Sequence, residues 1–135
     1  MNKPIFISGL RKSGTSLVKS LLDGHPDLFV FPPNELHLFR YTSHPSLVKD
    51  KLDSIDDPLE LLNAIGMSDF ISRMGNTNSR FYLPEFNREV FRDLVNSGQP
   101  EDYRDVYEIL MEAMYAALHN EKLPSGLRCV SKSVL

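Results

Sequence analysis

The sequence has little of what would place it in a specialised class. One cysteine, Cys129, occurs in 135 residues. No internal disulfide can form, and a reducing compartment is expected. No apolar run approaches the roughly 18–20 residues of a membrane helix. There is no excess of positive charge: 15 Lys and Arg against 18 Asp and Glu leave a net charge of −3. That argues against a broad nucleic-acid footprint, although a local basic site is compatible with it. Internal repeats, low-complexity segments and linkers are absent. Met1-Asn2-Lys3-Pro4 runs straight into an apolar stretch, without the pattern of a secretory signal. These absences lead to the expectation of one soluble, cytoplasmic domain over residues 1–135. Its 41% hydrophobic content is enough for one compact core.

What is present is concentrated near the start. Ile5-Phe6-Ile7 is a short apolar run that ends in a loop, Ser8-Gly9-Leu10-Arg11-Lys12-Ser13-Gly14-Thr15, and the loop opens an amphipathic helix. A strand, a glycine loop and a helix start together make a phosphate cradle. The first amides of a helix have no internal partner, and the helix dipole turns its positive end toward them. Gly9 and Gly14 stand five apart, followed by Thr15 and Ser16, close to the spacing G-x-x-x-x-G-K-[ST] of the P-loop. The lysine is displaced: Thr15 occupies its place, and the cation comes earlier, as Lys12. Glycine permits positive φ and close backbone approach to an anion, and Lys12, Thr15 and Ser16 add a charge and hydroxyl donors. The competing reading is a glycine turn that binds nothing.

Further elements follow in order. A first helix is expected over Thr15–Asp23, with Leu17, Val18, Leu21 and Leu22 on one apolar face and Gly24 placed to cap its end. After a turn at His25-Pro26-Asp27, a second strand runs from Leu28 to Phe31 and is stopped by Pro32-Pro33. Asn34-Glu35-Leu36-His37-Leu38-Phe39 then lies past the carboxyl end of that strand, where open α/β sheets bind ligands. Short helices are expected at Pro45–Leu52, Pro58–Ile65 and Ser68–Met74, and a longer one at Asn87–Asn96. Another runs over Glu101–Asn120, with a core stripe of Tyr103, Val106, Tyr107, Leu110, Met114, Ala117 and Leu118. A third buried strand is expected at Arg128–Ser131, with Lys132-Ser133 at its carboxyl end on the same rim as the loop. The fold class expected is therefore α/β: a P-loop-like parallel sheet flanked by helices. Three parallel strands are few for this class, so an incomplete domain is also expected.

Four motifs carry a family resemblance. Leu10-Arg11-Lys12-Ser13-Gly14-Thr15-Ser16 resembles the 5′-phosphosulfate loop of sulfotransferases that use 3′-phosphoadenylyl sulfate (PAPS). Asp23-Gly24-His25-Pro26-Asp27 is similar to the His-Pro-Asp/Glu turn after the first helix of that superfamily, and Asn34–Phe39 to the Asn-Glu-Val-His-Phe-Phe stretch of the heparan-sulfate type. Val130-Ser131-Lys132-Ser133 resembles the later Lys-Ser/Thr-Pro element, with Val134 in place of the proline. The resemblance spans roughly the first forty residues and the last six. The family's 3′-phosphate site, an Arg followed by a Ser after the next strand, has no counterpart in these residues.

The resemblance implies a set of roles. Arg11, Lys12, Ser13, Gly14, Thr15 and Ser16 would bind PAPS, with Lys12 also stabilising charge on the bridging oxygen. Glu35 would be the general base, His37 would orient it or act as the base itself, and Lys132 would approach the transferring group. No metal is expected. The acceptor would be a small molecule, carbohydrate, lipid or protein. Each role has a plainer counterpart: Glu35 as a helix-start carboxylate, His37 as a packing residue, and Lys132 as a solvated strand-end charge. Two other classes compete. A P-loop kinase would carry lysine directly after Gly14 and an acidic Mg²⁺ ligand on a later strand, whereas this chain has Thr15 and Lys132. A non-catalytic anion-binding fragment is the other.

Overall fold

A computed structural model describes residues 2–9, 14–32, 56–66, 71, 73–79 and 82–134. The apolar run after Pro4 forms β1 (Ile5–Gly9), and the residues after Gly14 form α1 (Thr15–Leu22). Then come β2 (Leu28–Val30), α2 (Pro58–Gly66), α3 (Arg88–Asn96), α4 (Tyr103–His119) and β3 (Arg128–Val134). The helix expected at Pro45–Leu52 lies outside the described residues, and that expected at Ser68–Met74 lies there in part.

The three strands form one parallel sheet in the order β1-β3-β2. The last strand in the chain is thus the central one. Ile5 stands opposite Val130 and Ile7 opposite Lys132 on one side, and Phe29 stands opposite Cys129 on the other. Because side chains alternate along a strand, β3 addresses two layers. Its Ser131 hydroxyl donates to the Tyr107 hydroxyl of α4 at 3.5 Å, while Lys132 reaches Ser16 of α1.

The α4 side holds the core. Phe6 and Phe29 meet Tyr107 and Tyr115 edge-on, at centroid distances of 5.3 and 5.1 Å. Leu61, Leu62, Phe91, Val95, Leu110, Met111 and Met114 are buried where α2, α3 and α4 pack on one another. Each such side chain stabilises the fold by about 1.5–3 kcal/mol. Helix starts are set locally. Asn87 accepts from the amides of Glu89 and Val90 to begin α3. Asp102 accepts from Asp105 N at 2.9 Å to begin α4, while the Asp105 carboxylate accepts from Glu101 N. Asn120, at φ 54°, closes α4.

Three expectations change. The apolar face expected of α1 does not pack inward: Leu17 is 64%, Val18 46% and Leu21 74% exposed, and none of the helix is fully buried. Its half-buried residues are Thr15, Lys19 and Leu22. Second, β3 continues through Val134 instead of ending at Ser131, so Lys132 lies within the strand, 4% exposed. A lysine reads as a strand end because burying an ammonium is costly without partners; here it has Ser16. Tyr103, expected in the α4 stripe, is 39% exposed.

Candidate functional site

The site is built where α1 begins. Gly14 takes φ +89° and stands as the residue before the helix, supplying no side-chain cap. Among the described residues, a Cβ at that position would meet nothing within 4 Å. Its carbonyl accepts from Val18 N at 3.1 Å, the first turn of α1. Gly14 offers the amides of that turn no side-chain acceptor, an arrangement suited to an anion.

Beneath that helix start lies the Lys132 ammonium. It donates to Ser16 Oγ at 2.6 Å, a short charge-assisted contact. Lys132 is carried there by the central strand, and Ser16 by the second position of α1. Residues that are 116 positions apart are thus joined at the mouth of the loop.

A second lysine stands one turn on. Lys19 Nζ donates to the Pro32 carbonyl at 3.1 Å, fixing α1 against the end of β2. Burial, then the positive charge of Lys132, push its pKa down from 10.5 to about 8, with Asp23 acting in the opposite direction. A cleft of ≈ 340 Å³ opens here, lined by Ser16, Lys19, Ser20, Asp23, Val30, Pro32 and Leu83.

The sulfotransferase family model matches residues 4–129. The chain belongs to the sulfotransferase family. Neither the comparison with curated proteins nor that with solved structures gave a match. Family membership makes this mixed α/β chain, with its parallel sheet and flanking helices, a sulfotransferase-type P-loop-like domain.

Of the expected site residues in this sulfotransferase, Gly14, Thr15, Ser16 and Lys132 lie among the described ones. The structure brings Ser16 and Lys132 into contact, with Gly14 and Thr15 adjoining at the helix start. Arg11, Lys12, Ser13, Glu35 and His37 lie outside the described residues. The site residues the sequence reading missed are Lys19, Ser20 and Asp23. A signal existed: Ser16, Lys19, Ser20 and Asp23 fall at i, i+3, i+4 and i+7, one continuous polar row along α1. Among the described residues no helix is long and apolar enough to cross a membrane.

Proposed function

We propose that this sulfotransferase moves a sulfuryl group from PAPS to a hydroxyl or amine of its acceptor. The observation that carries the reading is the buried Lys132 ammonium held at Ser16, under a helix start that opens with Gly14 at φ +89° and has no side-chain cap. That arrangement fits an anionic group: a glycine helix start without a side-chain cap, and a buried cation beside it.

In this reading the amides at Thr15 and Ser16 and their hydroxyls hold the 5′-phosphate, and Lys12 and Lys132 neutralise charge as it builds on the leaving oxygen. Catalysis of this kind is mostly positioning and charge stabilisation. The acceptor oxygen or nitrogen bonds to sulfur, and the bond from sulfur to the bridging phosphate oxygen breaks. The electron pair leaves with adenosine 3′,5′-bisphosphate (PAP), and the acceptor's proton passes to Glu35 or His37. The acceptor is a small molecule, carbohydrate, lipid or protein side chain. A cytoplasmic location belongs to the same reading, since Cys129 is a free, buried thiol.

Calorimetric titration with PAP and, separately, with ATP·Mg²⁺ tests this on the wild type, Lys12→Ala and Lys132→Ala. PAP is expected to bind the wild type, both substitutions are expected to remove that binding, and ATP·Mg²⁺ is not expected to bind. Binding of ATP·Mg²⁺ alone would overturn the reading in favour of a kinase.

A further inference from the structure

We infer that the cleft between α1 and the end of β2 binds an uncharged polyol, such as a single sugar ring, and that the Asp23 carboxylate holds it through two adjacent hydroxyls. The role of that polyol, as the acceptor, rests on the sulfuryl-transfer reading.

The first argument is the state of Asp23. It follows the last residue of α1, and its backbone amide, not its carboxylate, closes the helix by donating to the Lys19 carbonyl at 3.2 Å. The negative end of the helix dipole faces this position, so a carboxylate here works against the helix. Among the described residues no hydrogen bond occupies its carboxylate oxygens. The side chain lines the cleft. A carboxylate that does not cap its helix is left to accept from a ligand, and its two oxygens suit two neighbouring hydroxyl donors.

The second argument is the company it keeps. Ser20 lies three positions earlier, on the same side of α1. Its proton already goes to the Ser16 carbonyl at 2.9 Å, so toward a ligand its oxygen accepts. Lys19 is committed to the Pro32 carbonyl, and nothing further is asked of it. Ser20 and Asp23 therefore call for a ligand rich in hydroxyl donors. An ammonium group would also donate, but the charge of Lys19 acts beside Asp23 and opposes a second cation. Val30, Pro32 and Leu83 supply an apolar wall for the C–H face of a ring. That wall is preset, because the Leu83 amide donates to the Met74 carbonyl at 3.0 Å. At ≈ 340 Å³ the cleft is at the lower end of small-molecule sites, with room for one ring. Ser16 also lines it, and the Ser16 hydroxyl accepts from Lys132 at the donor loop. A polyol in the cleft thus abuts the place where the sulfuryl group would be held.

The test follows the ¹³C-labelled methyl signals of Val30 and Leu83 by NMR during titration with glucose. Cyclohexanol serves as the ring without adjacent hydroxyls and methylammonium as the cation, each with and without saturating PAP. Glucose is expected to move both residues' signals and to bind equally well beside PAP. Cyclohexanol and methylammonium are expected to bind more weakly. Asp23→Asn should weaken glucose about tenfold, as expected when hydrogen bonds to a charged group are replaced by bonds to a neutral one. Ser20→Ala should weaken it by a smaller factor. Circular dichroism of both variants verifies that they are folded. Equal binding of cyclohexanol, tighter binding of methylammonium, unchanged glucose affinity in Asp23→Asn, displacement by PAP or no glucose binding at all would each overturn the inference. PAP affinity is read separately. Its loss with glucose binding intact would sink the donor assignment and leave the polyol site standing.

Discussion

Lys132 is buried as a charge: an ammonium 4% exposed loses most of its hydration, and its contact to the Ser16 hydroxyl is part of what replaces it. Exchanging a buried charge for an apolar side chain of similar length is often neutral or stabilising. Lys132→Met is therefore expected to leave the urea midpoint unchanged or raise it, while PAP affinity disappears in calorimetry. A lowered midpoint would mean that the lysine is there for the fold. Lys19 and Cys129 make opposite contributions in alkaline solution. Lys19 titrates near 8 in the native chain against 10.5 when unfolded. Over that interval only the unfolded chain holds the proton, so stability rises with pH. After discounting for partial exposure the gain is on the order of 1–2 kcal/mol. Cys129, fully buried, is pushed up from 9.0 to about 11, by burial first and then by Glu112 and Glu108. Its contribution is complete below pH 9 and is lost between 9 and 11. Urea denaturation is expected to show stability climbing between pH 7.5 and 9 in the wild type and not in Lys19→Met. A climb that persists in Lys19→Met would refute the assignment.

At the scale of elements, α4 and α1 stand at opposite ends of legibility. The α4 stripe of Val106, Tyr107, Leu110, Met114 and Ala117 recurs at helical spacing and is buried, and the Asp102 that starts the helix is a local signal. Asp102→Ala is expected to cost about 1 kcal/mol in chemical denaturation. Leu110→Ala should cost about 2–5 kcal/mol, whereas Leu21→Glu on α1 should change stability by less than about 0.5 kcal/mol. A large loss from Leu21→Glu would mean that this face is covered in solution. The amphipathic pattern of α1 was legible, but which side faced inward was not. Hydrophobic periodicity assumes that the apolar row is the buried one, and here the half-buried positions are Thr15, Lys19 and Leu22, while Leu17, Val18 and Leu21 stay exposed. The two ends of α1 were visible because Gly14 at φ +89° before it and Gly24 at φ +84° after it mark positions that other residues rarely take. The true length of β3 was hidden behind Lys132. The polarity of that residue reads as an ending, while its partner is 116 positions away in the chain.

For the whole molecule, PAP offers a test of whether the loop and the sheet act together. A ligand that binds only the folded chain stabilises it by about 2.7 kcal/mol at a hundredfold excess over its dissociation constant. Thermal scans at that excess are expected to show a higher Tm in the wild type and no shift in Lys132→Met. A shift of equal size in both would place the nucleotide away from β3. The strand order bears on how the protein is made. Among the described residues, β1 and β2 do not pair with each other, and each pairs with β3. The Arg128 guanidinium at the start of β3 donates to the Lys3 carbonyl across 125 positions. On the ribosome that separation corresponds to roughly 6–25 s of synthesis, during which two strands remain without their partner. The helices can assemble from local contacts in that interval, but the sheet cannot form until its central strand has emerged. Ser16, on the helix that follows β1, meets Lys132 on β3, so that contact forms at the same late step. A nascent chain should therefore gain helix long before it joins α1 to the central strand.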